Sequence, residues 1–127
     1  MSTFQKRVTT REVNFCGKGY TVDFGKDETA VVFQRVQEGL TRMQEKNRDG
    51  FTASEKLLCV QQEEKALLKK AIGEILCCAD EAGFSVEKDS LILYRDMYAY
   101  LAMEYIRVMQ AKSPYSIERI AGYESFY

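Results

Sequence analysis

The chain has 127 residues and balances 18 basic against 19 acidic side chains, so its net charge is −1. This length, together with an apolar fraction of 46%, predicts one folded domain and argues against disorder. Proteins that bind nucleic acid or anionic membranes usually carry a basic excess or patch. Neither is present in the sequence, so we expect no nucleic-acid partner and no membrane partner.

The sequence also lacks the usual sorting signals. No apolar run reaches the roughly 18 residues that a membrane-spanning helix needs. Residues 1–14 contain basic side chains, but no apolar stretch follows them as it would in a secretory signal. We therefore expect a cytoplasmic protein.

In chain order, the first predicted element is a β-hairpin. Residues 12–16 and 20–24 alternate apolar and polar side chains with the period of a half-buried strand. Gly17-Lys18-Gly19 lies between the two runs and predicts a three-residue loop. The predicted hairpin covers residues 11–25, after a polar segment that we expect to be a flexible arm, residues 1–10.

Apolar side chains recur every three or four residues over most of the remaining chain, which predicts amphipathic helices. Asp27 is expected to cap the first helix, and Thr52 with Glu55 has the pattern of a capping box for the second. Ser113-Pro114 predicts the start of a short last helix. The predicted helices cover about residues 28–46, 53–82, 90–112 and 114–121.

Together, these elements predict an α+β domain that is predominantly α. An N-terminal β-hairpin is followed by an antiparallel helical bundle of three long helices and a short C-terminal helix. Sequential helices with short connections usually pack as antiparallel neighbours. Residues 11–127 are expected to form this single domain, without a linker or an internal repeat.

The residues offer little for catalysis. The absence of histidine removes the commonest general base and metal ligand. The four cysteines match no zinc or redox spacing and are expected to be free thiols. Strand termination and helix capping explain Asp23 and Asp27 more simply than a Mg²⁺ site does. We therefore predict no catalytic residue, no metal and no cofactor, and an enzyme with Cys59 or Cys77 as nucleophile is the distant alternative.

The third helix carries apolar side chains on both of its faces. One arc, which includes Met109, is expected to pack in the core, and Leu57 belongs to the corresponding arc of the second helix. The opposite half of the third helix mixes polar residues with a second apolar stripe. That stripe is either a contact surface for another protein or is buried under the hairpin. As a contact surface it would consist of Ile92, Ala99, Met103 and Ile106.

The C-terminal residues are rich in large aromatic rings. A terminus that extends freely into solvent seldom carries so many. The rings either fold back over the bundle or dock on another protein, and both alternatives stay open. The candidate interaction surface therefore also includes four of these aromatic residues: Tyr115, Tyr123, Phe126 and Tyr127.

The segment from Val13 to Gly25, VNFCGKGYTVDFG, resembles the opening of small tail-assembly chaperones of long-tailed phages and prophages. Those proteins often begin with an extended segment in which a Gly-Lys pair is followed by a tyrosine and an Asp-Phe pair. A helical body of similar length and order comes after it. The matching positions in this sequence are Gly17, Lys18, Tyr20, Val22, Asp23 and Phe24.

The resemblance implies a non-enzymatic protein of the bacterial host cytosol, encoded beside the tail genes. Such a protein binds the tape-measure protein, the tail-tube protein or both during assembly, and it is not expected in the finished particle. A chaperone of a long helical client would offer apolar grooves to side chains at i, i+3 and i+4. The alternative is a self-associating helical adaptor or regulatory protein unrelated to phage tails, with a homo-oligomer as its assembly.

Overall fold

A hairpin and three helices follow one another in the computed structural model, which describes residues 1–15, 17–76 and 90–111. The elements are β1 (Thr10–Phe15), β2 (Lys18–Asp23), α1 (Asp27–Glu45), α2 (Ala53–Ile75) and α3 (Leu91–Gln110). The prediction of a mostly helical domain with an N-terminal hairpin is therefore confirmed. The short helix predicted over residues 114–121 lies outside the described residues.

The hairpin turn is tighter than its sequence predicts. Phe15 pairs with Lys18 in the antiparallel ladder, so Lys18 and Gly19 belong to β2 and not to the loop. Gly17 has a φ of 83°, in the left-handed region that favours glycine. The backbone N–H of Gly17 donates to the Asn14 side chain at 3.2 Å, which holds the turn.

One face of the hairpin lies on the helices, as the period-two pattern predicts. Val13, Val22 and Phe24 are buried, while Phe15 and Tyr20 are half-buried and pack against the same core. A two-stranded hairpin is marginal by itself in water, so its order depends on this packing.

Asp23 ties the N-terminal segment, the hairpin and α1 together. The Thr9 hydroxyl donates to the Asp23 carboxylate at 2.7 Å, and the backbone N–H of Gly25 donates to the same oxygen at 2.9 Å. The Thr29 hydroxyl donates to the Asp23 backbone carbonyl at 3.1 Å. The hydrogen bond from Thr9 is the main cause that lowers the pKa of Asp23 below its ordinary value. A Cβ at Gly25 would lie 2.5 Å from the Thr9 hydroxyl oxygen, so only glycine leaves room for this contact.

Replacing Thr9 with valine is expected to raise the pKa of Asp23 and to lower the stability of the protein at neutral pH. Because the folded-state pKa is depressed, the stabilisation is present above the unfolded-state pKa of about 3.9 and is lost as pH falls through the folded-state pKa. The difference in the free energy of unfolding between the variant and the unmodified protein should therefore be largest at pH 7 and should shrink in acid. Denaturant unfolding at several pH values measures it.

The control for this prediction is Thr21→Val, which changes an exposed threonine on β2. We expect this variant to show no pH-dependent difference from the unmodified protein. A loss of stability in Thr9→Val that is the same at pH 7 and in acid would contradict the role given to the hydroxyl of Thr9.

The end of the N-terminal segment is held on the domain. The Thr9 side chain contacts Asp23, and the Thr9 backbone carbonyl also accepts a hydrogen bond from the backbone N–H of Phe24 at 3.1 Å. The Arg7 guanidinium donates to the backbone carbonyl of Val108, in the last turn of α3. Helix C-termini favour cations because their last carbonyls have no partner within the helix. Residues 1–10 were predicted as a flexible arm, but β1 already begins at Thr10, and both Arg7 and Thr9 are anchored.

The helix starts agree only in part with the predicted caps. The capping box of α2 is confirmed: Glu55 N–H donates to the Thr52 hydroxyl, and Thr52 N–H donates to the Glu55 carboxylate, each at 3.2 Å. The prediction that Asp27 caps α1 is wrong, because Lys26 is the N-cap and Asp27 is the first helical residue. An acid is also favourable there, since it lies in the positive field of the first turn.

Ion pairs show that α1 and α2 are antiparallel. Arg35 in α1 contacts Glu74 near the end of α2 at 2.9 Å, and Lys46, just after α1, contacts Glu63 at 3.0 Å. The two helices approach closely at Gly39, where an added Cβ would lie 2.7 Å from a methyl of Leu67.

The helix α3 also runs opposite to α1. Arg95, near the start of α3, contacts Glu64 of α2 at 2.5 Å, at the end of the bundle where α1 finishes. Tyr105, near the end of α3, lies against Phe33 with ring centroids 4.7 Å apart, in the first half of α1. It follows that α2 and α3 run in the same direction. The prediction of antiparallel neighbours is right for α1 and α2 and wrong for α2 and α3.

The helices α2 and α3 can run in the same direction because α2 is shorter than its sequence predicts. The amphipathic pattern predicts a helix to Ala82, but the helix ends at Ile75 with Leu76 as its C-cap. Gly73 lies in the last turn and is a poor helix former. The connection from Leu76 to Ser90 is therefore longer than the sequence predicts, and antiparallel packing of neighbours is expected only for short connections.

The inner faces of the hairpin and the three helices meet in one core. Its buried apolar residues are Val13, Val22, Phe24, Val32, Phe33, Val36, Leu68, Ala71, Ile72, Ile75, Leu76, Tyr94, Met97, Leu101 and Val108. The first half of α2 extends beyond this core, since its first buried residue is Leu68. Leu57, predicted in a buried arc, is consequently 60% exposed. Met109, near the end of α3, was also predicted in a buried arc and is 42% exposed.

Candidate protein-interaction surface

The inner face of α3 is a layer of aromatic and aliphatic side chains. Tyr94, Leu101 and Val108 are buried, which confirms the predicted arc. The ring of Phe33 from α1 lies between Tyr98 and Tyr105, with centroid distances of 5.7 and 4.7 Å. Burial raises the pKa of the Tyr98 hydroxyl, although a hydrogen bond with Gln37 opposes the shift. These contacts fix the rotation of α3 about its axis.

With that rotation fixed, a second apolar stripe points away from the core. Ile92 is 68% exposed, Met103 54% and Ile106 50%, and Ala99 is exposed between them. At about 100° per residue these four positions cluster on the side of the helix opposite Leu101. We call this set, Ile92, Ala99, Met103 and Ile106, the outer face of α3. All four residues were predicted from the sequence as a candidate contact surface.

The hairpin does not cover the outer face. Phe15 of β1 meets Tyr100 edge to face, with ring centroids 5.5 Å apart, and Tyr100 lies to one side of the stripe. The alternative in which the hairpin buries the stripe is therefore wrong for the described residues. The remaining four candidate residues, Tyr115, Tyr123, Phe126 and Tyr127, lie outside the described residues.

Few charges interrupt the outer face. Asp96 and Arg107 are exposed beside it, and Arg107 donates to Glu104 at 2.6 Å along the same helix. On the far side Arg95 forms two hydrogen bonds with Glu64, and this pairing raises the pKa of the Arg95 guanidinium. The charged groups next to the stripe thus include two ion pairs, and the stripe between them is apolar.

Sequence reasoning missed a second apolar surface at the other end of the bundle. Leu40 and Met43 of α1 face Leu57 and Val60 of α2 across an open groove of about 620 Å³, which is bordered on α3 by Arg95. The periodicity did identify Leu57 as part of an apolar arc. It could not reveal that the core stops short of this residue, because periodicity does not report what lies opposite a helix.

The described residues bring no metal-binding set together. No group of three or more histidine, cysteine, aspartate or glutamate side chains that could hold a metal ion occurs among them. The Asp23 carboxylate, which a Mg²⁺ site with Asp27 would need, already accepts two hydrogen bonds. Cys59 is half-buried and not in a disulfide. Within the described ranges, no helix is long and apolar enough to cross a membrane.

Comparisons with known proteins add no identification. No protein-family model, no curated protein and no solved structure matches the chain.

Proposed function

We propose that the protein is a non-enzymatic binding protein that holds a segment of another protein on the outer face of α3. The observation that carries this proposal is the exposure of Ile92, Met103 and Ile106 on the side of the helix opposite the core. Single exposed apolar side chains are ordinary on a protein surface, but several of them on one side of a helix are typical of an interaction site.

The dimensions of the outer face fit a helical or extended partner segment. From Ile92 to Ile106 the stripe runs along about 21 Å of helix at 1.5 Å per residue. Its members are separated by roughly one or two turns, which is the spacing that an apolar helix face offers to a partner. Met103 lies about one turn before Ile106, and methionine adapts its shape to different partners more readily than branched side chains do.

For the class of partner, the proposal rests on the resemblance of residues 13–25 to tail-assembly chaperones of long-tailed phages and prophages. The client is then the tape-measure protein, the tail-tube protein or both, and the place of action is the cytosol of a bacterial host. A long helical client presents many apolar faces during assembly. A chaperone with one exposed apolar stripe would cover such a face until the client is packed.

The residues that carry the resemblance have structural roles in this chain. Gly17 makes the hairpin turn, Val22 and Phe24 are buried, and Asp23 joins the hairpin to Thr9. These roles support a shared scaffold and leave client binding to a different surface. We therefore assign the client contact to the outer face of α3 and not to the hairpin motif.

Co-expression with the neighbouring tail proteins tests this function. The proposal predicts that a tape-measure or tail-tube protein encoded beside this gene copurifies with the unmodified protein. The complex should be lost when Ile92 and Ile106 are replaced by aspartate. A complex that forms equally well with this double variant would contradict the assignment, and the absence of any complex with either client would contradict the chaperone function.

A second candidate function uses the same surface. The exposed stripe also fits a self-associating helical adaptor or regulator, in which a second copy covers the outer face of α3. Light scattering after size exclusion separates the two functions. If the protein is a chaperone, the mass of the client-free protein should stay the same when Ile92 and Ile106 are replaced. If it is an adaptor, the unmodified protein should be an oligomer, and replacing these two residues should dissociate it.

A further inference from the structure

We propose that the groove between α1 and the first half of α2 is a second docking site, which accepts an acidic amphipathic helix of another protein. This groove is distinct from the outer face of α3. Its only lining residue from α3 is Arg95, whose side chain contacts Glu64 of α2. The proposal therefore does not depend on the tail-chaperone function.

The groove exists because two helices extend past the core. The last buried residue of α1 is Val36, although the helix continues to Glu45, and the first buried residue of α2 is Leu68, although that helix begins at Ala53. Over this stretch no described element covers the seam between the two helices. The open groove at this seam has a volume of about 620 Å³.

The floor of the groove is apolar and has the spacing of a helix-binding surface. Leu40 and Met43 are three residues apart on α1, and Leu57 and Val60 are three residues apart on α2. Residues at this spacing form a ridge along a helix, and two parallel ridges leave a channel into which the side chains of a third helix fit. Leu57, at 60% exposure, is the most open of the four.

The charges around this floor select an acidic partner. Among the described residues, Lys46, Arg48, Lys56 and Arg95 line the groove with a single acid, Glu64, although the whole chain has a net charge of −1. Glu63 lies next to the lining and holds Lys46 at 3.0 Å and Arg48 at 2.8 Å. Even with Glu63 included, the basic groups exceed the acidic ones; because the Arg48 side chain is only 8% exposed, Lys46, Lys56 and Arg95 present this positive charge to a partner. Complementary charge steers a partner to such a site and rejects partners of the same sign.

A designed peptide pair provides the probe. The first is a helical peptide with leucines at i, i+3, i+4 and i+7 and glutamates elsewhere, and the second has lysine in place of every glutamate. The glutamate peptide is expected to bind at least about tenfold more tightly than the lysine peptide, as judged by fluorescence anisotropy with the full chain. Equal affinities, or no binding of the glutamate peptide, would overturn the proposal.

Two neighbouring leucines supply a matched pair of variants. Leu57→Asp places a charge in the groove and is expected to weaken glutamate-peptide binding at least about tenfold, while Leu58→Asp should change it less than about twofold. Both leucines are more than half exposed on the same turn of α2, but only Leu57 lines the groove. Equal losses in the two variants would place the peptide elsewhere and refute the proposal.

Charge reversal at Lys56 makes the test independent of folding. Lys56 lies in the first turn and a half of α2, where a glutamate is compatible with the helix dipole. Lys56→Glu should weaken binding of the glutamate peptide and strengthen binding of the lysine peptide. A damaged fold would not strengthen binding of either peptide. Binding of a single-stranded oligonucleotide with the same dependence on Leu57, or Leu57-dependent self-association in light scattering, would overturn the proposal in favour of those occupants.

Discussion

Replacing Leu101 with alanine is expected to lower the free energy of unfolding by about 2–5 kcal/mol. Leu101 is fully buried at the centre of the inner face of α3. Truncation removes its apolar contacts and leaves a cavity that the close-packed core can fill only in part. For a domain of this size, such a loss is a large fraction of the total stability. Urea denaturation followed by circular dichroism measures it.

The matched control for Leu101 is Met103→Ala, two residues along the same helix. Because Met103 is 54% exposed, this substitution should change the free energy of unfolding by less than about 0.5 kcal/mol. The contrast between the two variants reports which side of α3 faces the core. Similar losses in both would mean that the outer face is also packed, and the assignment of the two faces would be wrong.

The double replacement of Ile92 and Ile106 by aspartate is expected to abolish client binding while the protein stays folded. Both side chains are at least half exposed, so little packing is lost. Ile92 lies in the first turn of α3, where an acid is favourable, and Ile106 lies near the C-terminal end, where it is mildly unfavourable. The two effects nearly cancel, and the net change in stability should stay within about 1 kcal/mol.

The expected effect on binding is much larger. A hot-spot residue of an interface contributes 2 kcal/mol or more, which corresponds to about a 30-fold change in affinity. Placing two carboxylates there adds the cost of burying charge against an apolar partner. Titration of the client into the purified variant, with unfolding curves for both proteins, measures binding and stability separately. Binding that survives in a folded double variant would refute the proposed surface.

Much of the architecture follows from local patterns in the sequence. Alternation along residues 12–16 and 20–24 predicts two strands and their buried faces, because each strand rests one face on the core, although β1 and β2 each begin two residues earlier than predicted. The capping box at Thr52 and Glu55 locates the start of α2, since its hydrogen bonds form within one turn and need no tertiary context. The arc around Leu101 is also confirmed, because a buried helix face must be apolar wherever it packs.

Features that depend on distant partners were not predictable in this way. The direction of α3 relative to α2 depends on where α2 ends, and periodicity beyond Ile75 indicated a longer helix than the one that forms. Leu57 and Met109 fit the apolar arcs of their helices but lie where no other described element covers them. A helical period identifies which residues share a face. It does not identify what that face meets.

The same distinction applies to the candidate site. The sequence predicted an outer stripe on α3 from Ile92 to Ile106 but left open whether the hairpin covers it. The contact between Phe15 and Tyr100 decides this question, because it places the hairpin to one side of the stripe. The basic groove near Leu57 could not be assembled from the sequence, since its charges come from the end of α1, the start of α2 and a single residue of α3.

Site-specific photo-cross-linking at Met103 tests the central claim most directly. A photoreactive amino acid replaces Met103 on the outer face of α3, and a control places it at Gln62, an exposed residue of α2. Each protein is expressed with the tape-measure and tail-tube proteins of its neighbouring genes and irradiated in the cell. We predict a covalent adduct with one of these clients from position 103 and none from position 62. Adducts from neither position, or equally from both, would contradict the claim that the outer face of α3 binds a client protein.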